Sequence, residues 1–461
     1  MRLSAVNSNN ISSHNWLFIL LAKNTFSLLK KVPALFFLLF LAFSVHSNEI
    51  LTDLESEVTY SDEQDEVTKT EMALKLEWSH QFENEVDIKV IPKLLLDYDD
   101  SLNGQDSDNE KRASNFSDYN GPAYEDGNHR LELFESYIDM WFGDTSLRLG
   151  KQQVVWGQAD GLKVLDVVNP QSYREFNLPV FEDSRIPTWM MNLQHPTGDD
   201  SNLQFLLIPD MTFNELADGG SDFQTTSPEL APSPTPGVPV QFNDVERPVD
   251  GELEFGIRWS AFIDGWDITA NYFNFHQDNA VIYRDFKGGL VEVTPTYERS
   301  QLGGFTGSTA FSDWVVKIEA GYIQDNYFIR GDLESSGIEK SDEVASVFAF
   351  DYQGISDLMV SYQFFFSQVQ NYEPEIVRKE NSIRHTLLFI KDAWNETLEL
   401  RLFALVNRDY DDGQTRGKVT YKVDDYWSVW TGVDYFYGDR EGPFGQYSDA
   451  SRVVAGWQFS Y

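Results

Sequence analysis

The chain has no cysteine, a shortage of cations and, past its first forty-odd residues, no long apolar run. Each absence removes a class of protein. Without Cys there is no disulfide framework, thiolate nucleophile, zinc ribbon or Cys-ligated cluster. Lys+Arg number 35 against 74 Asp+Glu, a formal net charge of -39, so phosphate backbones repel the chain and non-specific nucleic-acid binding is excluded. Mean hydropathy is negative, and nothing after residue 47 approaches the ~20 apolar residues of a helical span, which excludes a polytopic helical membrane protein. What is abundant is aromatic: 12 Trp, 21 Tyr and 34 Phe in 461 residues, too many for a disordered acidic chain.

Lys30 and Lys31 precede an apolar run from Pro33 to Phe43, followed by Ser44-Val45-His46-Ser47. A basic region, an apolar core of ~7 to 15 residues and a small-residue cleavage site make a secretory signal peptide, with cleavage expected after Ser47 and export by the Sec route. Residues 1 to 29 form an atypical extension, with a second apolar patch from Trp16 to Leu21, and no Met follows Met1 until Met72; an upstream mis-assigned start would account for it. Removing 1–47 deletes Arg2, Lys23, Lys30 and Lys31 and no acid, so 31 Lys+Arg face 74 Asp+Glu in 48–461, a net charge of -43.

That region alternates with a period of two. Val453, Ala455, Trp457, Phe459 and Tyr461 share one face, and Arg452, Val454, Gly456, Gln458 and Ser460 the other. Leu398, Leu400, Leu402, Ala404 and Val406 oppose Glu399, Arg401, Phe403, Leu405 and Asn407; Arg416, Lys418, Thr420 and Lys422 alternate with Gly417, Val419, Tyr421 and Val423. The segments run ~9 to 11 residues, enough to cross a bilayer when tilted. Short polar turns, as at Gly143-Asp144-Thr145, Asp264-Gly265, Ser312-Asp313 and Asp424-Asp425, alternate with long acidic or Pro-rich connections at 99–129, 157–186, 209–250, 325–342, 370–381 and 438–448. The pattern predicts a transmembrane antiparallel outer-membrane β-barrel of about 16 to 18 strands, with 209–250 a long acidic, Pro-rich extracellular loop. A soluble sandwich also alternates, but three features oppose it. Trp141, Phe142, Trp266, Trp314 and Trp427 flank the turns as an aromatic girdle does. Inward charges such as Lys317 and Glu319 suit water better than a dry core. The last amphipathic strand ends on an aromatic residue.

One segment breaks the alternation. From Leu147 to Leu193 it reads LRLGKQQVVWGQADGLKVLDVVNPQSYREFNLPVFEDSRIPTWMMNL. This stretch resembles the signature of a family of uncharacterised Gram-negative outer-membrane proteins, the domain of unknown function numbered 1302. The matching positions include Arg148, Gly150, Gln152, Trp156, Gly157, Asp160, Gly161, Asp166, Asn169, Pro170, Arg174, Glu175, Glu182, Asp183, Arg185 and Trp189, continuing through Ile208-Pro209-Asp210 and Gly265-Trp266-Asp267. Thr188, Met191 and the acidic loop after Ile208 depart from the pattern. The resemblance implies an outer-membrane component working with an RND-type inner-membrane exporter and a periplasmic partner, on lipids or hydrophobic molecules; this is association rather than mechanism.

Physically, 157–186 is too polar to face lipid and, with Val164, Leu165, Val167, Val168, Phe176, Leu178 and Phe181, too apolar for solvent. It is expected to fold inward into the barrel mouth. There Arg148, Arg174 and Arg185 would pair with Asp160, Asp166, Glu175, Glu182 or Asp183, and with Gln152 and Trp156 constrict the lumen as a gate or a space-filling plug. His80, His129, His195, His276 and His385 are scattered without metal-ligand spacing, and there is no Gly-x-Ser-x-Gly, so neither an enzyme nor a resident cofactor is expected. Asp409-Tyr410-Asp411-Asp412-Gly413 and Asp106-Ser107-Asp108-Asn109-Glu110 lack a calcium-loop register and suit loose Ca²⁺ or Mg²⁺ beside lipopolysaccharide. The expected function is a channel for a small amphiphilic or hydrophobic molecule. A general porin for polar solutes and a structural or adhesive surface barrel are the alternatives, with an outer-membrane hydrolase behind them.

Overall fold

The computed structural model describes residues 49–461 apart from 83–84, 99–114, 233–236, 249–250 and 333–335. The signal segment, the acidic run at 106–110 and the middle of the Pro-rich stretch therefore lie outside the described residues. Eighteen strands form the wall: β1 (Glu49–Ser61), β2 (Glu66–Phe82), β3 (Val86–Asp97), β4 (His129–Phe142), β5 (Thr145–Gln152), β6 (Thr188–Gly198), β7 (Ser201–Ile208), β8 (Glu254–Ile263) and β9 (Trp266–His276), then β10 (Arg299–Phe311), β11 (Trp314–Ile329), β12 (Ile338–Ile355), β13 (Leu358–Val369), β14 (Asn381–Ala393), β15 (Leu398–Asn407), β16 (Asp412–Lys422), β17 (Trp427–Tyr437) and β18 (Arg452–Ser460). Each pairs with its chain neighbours, and β1 pairs antiparallel with β18, from Asp53 opposite Ser460 to Tyr60 opposite Val453. Closure leaves no unpaired edge in the hydrocarbon, the condition for a sheet to span a membrane. The two-residue strand Tyr124–Glu125 adds to β4 without entering the ring.

The period-two pattern becomes two surfaces. Leu149, Leu203, Ile257, Phe305, Phe348, Leu387, Leu402, Val419, Val433 and Val453 are each about two-fifths exposed or more on the bare chain, because lipid is what covers them. Trp141, Phe142, Phe262, Phe311, Trp314, Trp394, Tyr426 and Trp427 ring the short-turn end with exposed rings. Towards the long-loop end the lipid-facing tyrosines give their hydroxyls polar partners: Tyr272 donates to Gln301, and Tyr362 meets His385 Nδ1 at 2.8 Å. An apolar ring with a wet tip is what the membrane–water boundary selects.

Turn chemistry sets the registers. Asp264 (φ 49°) and Gly265 (φ 84°) both occupy the left-handed region, which matches a tight connection to the twist of β8 and β9. The period-two pattern ends several strands too early. The expected loop 325–342 is partly strand, because β11 and β12 continue beyond a register shift between Ile323 and Asn326, where Asp325 takes a φ of 61°. A bulge flips the alternation, so the pattern loses phase although the ladder continues. Val240–Phe242, Val281–Lys287 and Leu290–Thr296 form a separate three-stranded sheet in the long connections.

The loop at 209–250 does not stand free. It leaves the wall after β7, yet Phe223 packs with Phe436, Tyr447 and Leu178, the amides of Thr226 and Ser227 donate to Gln446 Oε1 at 2.7 and 2.8 Å, and Ser227 Oγ donates to the Glu441 carbonyl at 2.6 Å. Apart from Leu178, which lies in the β5–β6 connection, those partners belong to β17 and the β17–β18 connection, across the ring from β7. The segment therefore crosses the long-loop opening of the barrel.

Candidate functional site

The segment between β5 and β6, residues 153–187, has no long strand; its regular elements are Ser172–Tyr173, which pairs with Glu215–Leu216, and one helical turn, Phe181–Ser184. Its neck is closed by Asn169. The Asn169 carboxamide accepts from the Val154 amide at 2.7 Å and donates to the carbonyls of Gln152 and Ile186 at 3.2 Å each, so the entering and leaving chains share one buried amide. Gln152, fully buried, donates to the Met190 carbonyl at 3.2 Å and accepts from Asn192 at 3.3 Å.

From the neck the chain lies against the wall formed by β7 to β13. Trp156 is fully buried; its indole N–H donates to Gln204 at 2.9 Å and its ring meets Phe273 edge-on at 5.7 Å. Wall glycines make room for it: a Cβ on Gly256 would sit 2.6 Å from the Trp156 ring, and one on Gly304 would sit 2.4 Å from Leu165. Val164, Leu165 and Val168 join Leu206, Phe273, Phe275, Leu302, Val347 and Phe365 in a dry core inside the barrel. Glu319 on β11 is 1% exposed, and its carboxylate accepts from the amides of Gln158 at 2.7 Å and Leu165 at 2.6 Å. The inward Glu319 therefore does not face water, as its place in a polar lumen suggested; backbone N–H groups of the segment are its hydrogen-bond partners. Asp160 exchanges two hydrogen bonds with Gln363, at 3.0 and 2.9 Å, and Lys317 pairs with Asp351 at 2.8 Å.

The same segment is also fastened to the opposite wall. Glu175 accepts from Lys69 at 2.5 Å and from Arg452 at 2.6 Å, Arg174 pairs with Glu71, and Asp183 pairs with Lys75. Burial would raise the Glu175 carboxyl, but Lys69, Arg452 and Arg174 outweigh it and hold it well below the usual carboxylate range. Lys69 and Lys75 stand on β2 and Glu319 on β11, nine strands apart in a ring of eighteen, so the segment bridges the full bore.

Among the residues expected to constrict the lumen, Asp160, Arg174, Glu182, Asp183 and Arg185 border one cavity. Asp166 holds Arg185 at 2.8 Å within the segment, and Gln152 and Trp156 are buried anchors. Arg148 does not reach the segment's acids. It grips Asp139 on the neighbouring strand through two bonds of 2.7 and 2.8 Å and lies over the Tyr137 ring, because β4 and β5 place Arg148 and Asp139 directly opposite. The wall partners Lys69, Glu71, Lys75, Glu319, Gln363 and Arg452 are not identifiable as such from residue order. Their signal is present as charged or polar side chains at inward positions of strands, but only the closed ring says which of them face the segment.

The cavity measures about 720 Å³. Eleven cations and eleven carboxylates border it, although acids outnumber cations by more than two to one in the chain. The wall supplies Lys69, Lys75, Arg401, Arg416, Lys418 and Arg452 among others, and the crossing segment turns Leu178, Pro179, Val180 and Phe181 towards it. A second cavity of about 700 Å³, bordered by Leu51, Asp425, Tyr426 and Tyr461 at the short-turn end, shares Lys75, Phe134, Glu182 and Asp183 with the first. The Lys75–Asp183 pair stands where the two spaces meet.

Lys163, on the crossing segment, is 3.3 Å from Asp166 and over the Phe181 ring at 4.5 Å. Burial, helped by Arg185 and opposed by Asp166 and Asp278, pulls its ammonium down to about 8. An exposed lysine releases its proton near 10.5, so between about pH 8 and 10.5 the folded segment binds fewer protons than the unfolded one, and its stability rises with pH across that window. The unfolding midpoint in detergent, followed by tryptophan fluorescence, is expected to shift less between these pH values in Lys163→Met than in the native chain. Equal shifts would remove Lys163 as the cause.

Among solved structures the chain is similar to OccK8 (OprE) of Pseudomonas aeruginosa, with 9% identity and a TM-score of 0.50 over 90% of this chain and 98% of that one. It is also similar to OccAB1 of Acinetobacter baumannii (10%, 0.49, over 90% and 95%) and to OccK2 (OpdF) of Pseudomonas aeruginosa in complex with glucuronate (9%, 0.48, over 90% and 97%). At 9% identity the likeness to OccK8 speaks for the fold alone. No curated protein matches the sequence. The family described as protein of unknown function (DUF1302) matches residues 57–402, and the chain belongs to that family.

Proposed function

We propose that this chain is an outer-membrane channel that passes small amphiphilic molecules through a constricted lumen. The observation that carries the reading is the segment 153–187, which spans the bore from Glu319 to Lys69 and leaves a cavity of about 720 Å³ with a charged wall on one side and Leu178 to Phe181 on the other. A solute with a charged head and a short apolar body meets complementary surface on both sides. The family resemblance extends the reading to an RND-type inner-membrane exporter as partner, which crosslinking in cells would test.

The balance of eleven cations and eleven carboxylates favours one other reading, a general porin for polar solutes of either sign. Planar-bilayer recordings separate the two. For the native chain we expect small, brief conductance steps that short-chain amphiphiles interrupt. A steady, large conductance indifferent to amphiphiles would establish the porin and sink the amphiphile channel.

A further inference from the structure

We propose that Arg401 on β15 and Lys418 on β16 form an anion site in the lumen that takes the carboxylate or phosphate head of the passing molecule; the inference rests on the channel reading and names the chemical class of its substrate. The two residues are directly opposite in the ladder and both point inward. Like charges at opposed positions of a sheet repel and cost stability, so such a pair is at its best with an anion between them. Most other cations around the cavity already have a partner. Lys69, Lys75, Lys93, Arg130, Arg174 and Arg416 each lie within 4 Å of a carboxylate. Among the described residues Arg401 and Lys418 have none at that distance, although Glu55 and Glu399 also border the cavity, and both cations are exposed.

Their surroundings are shaped for an anionic head with an apolar body. The Lys418 ammonium sits 4.3 Å from the centre of the Trp430 ring, which holds the long side chain against the wall. On its other neighbour strand Lys418 faces Gly432, which puts no side chain over it. Phe403 lies two residues from Arg401 on the same face, beside the cavity. A guanidinium offers paired N–H donors to two oxygens of one anion, and an ammonium adds a point charge beside it.

The test uses the full-length chain in planar bilayers with hexanoate, hexyl phosphate and hexyltrimethylammonium, against Arg401→Gln, Lys418→Gln and the double variant, each checked for the folded form by its heat-modifiable migration on gels. The anionic amphiphiles are expected to interrupt the native current at concentrations at least ten-fold lower than in the double variant, with the cation unaffected by the substitutions. Response to hexanoate, to hexyl phosphate or to both supports the site and names the head group. If amphiphiles leave the native current untouched while chloride-over-potassium selectivity still falls in the double variant, the anion site stands and the amphiphile reading fails. Unchanged selectivity together with unchanged response to the anions overturns the site.

Discussion

Glu175→Ala is expected to cost about 3–5 kcal/mol of stability, the usual effect of removing one partner from a buried ionic group. Glu175 lies between Lys69 and Arg452, at 2.5 and 2.6 Å, and the side chains of all three are at most 6% exposed. Alanine leaves two buried cations sharing the carboxylates that remain: Glu57 and Glu71, 3.1 and 3.6 Å from Lys69, and Asp434, 3.1 Å from Arg452. None of these belongs to the crossing segment, so the Glu175 contact is lost and only Arg174–Glu71 and Asp183–Lys75 still fasten the segment to this wall. Urea titration of the detergent-solubilised barrel, followed by tryptophan fluorescence, gives the magnitude. Glu175→Gln should fall between native and alanine, since an amide oxygen still accepts one hydrogen bond. A loss under about 1 kcal/mol for the alanine variant would show that the cluster is open to water and that the tether is a surface ion pair.

At the opposite wall, Glu319→Ala should have its largest effect on conductance. The carboxylate is the acceptor for the amides of Gln158 and Leu165, and no other acceptor for either is in place among the described residues. A buried Leu165 amide without a partner costs about 1–3 kcal/mol and the half-buried Gln158 amide less, enough to shift the segment away from the wall while Trp156 and Asn169 still hold its neck. Single-channel conductance is then expected to rise several-fold with the barrel still folded. Arg148→Ala is the control, because Arg148 is bound to Asp139 on the wall and should leave conductance near native. A Glu319→Ala channel indistinguishable from native would mean that the segment is held by its apolar contacts alone. The two tethers also differ in chemistry: an ion cluster on β2 and β18, backbone amides on β11. Of the β2 contacts only the Lys75–Asp183 pair is about a third exposed, so high salt should loosen that contact first and leave the buried Glu175 cluster in place.

Much of the wall is legible in the residues. Leu398 to Val406 alternating with Glu399 to Asn407 gives β15 its two faces, and residue order alone puts Arg401 and Lys418 on the polar faces of their strands. Side-chain direction in a strand follows position, with no reference to the rest of the chain. The pattern fails where the backbone departs from period two, as at the bulge before Asn326 that hides the outer ends of β11 and β12. It fails differently for the crossing segment. Its acids and arginines are identifiable, but the partners expected for them lie within the segment, whereas Arg174, Glu175 and Asp183 pair with Glu71, Lys69, Arg452 and Lys75 from strands distant in sequence.

The sequence by itself determined a membrane-spanning closed sheet: alternation, aromatic flanks, short and long turns and the absence of helical spans are local properties that read directly from residue order. It also marked 157–186 as the one stretch belonging neither to lipid nor to water. Only the tertiary structure decided which wall that stretch leans on, that Glu319 is a buried backbone acceptor, that Arg148 belongs to the wall, and that acids in excess over the whole chain come to balance cations around the cavity. The physical reason is closure. A ring of eighteen strands brings β2 face to face with β11 across the bore, and a pairing over that distance depends on the strand number and shear of the whole barrel rather than on any neighbourhood in the chain.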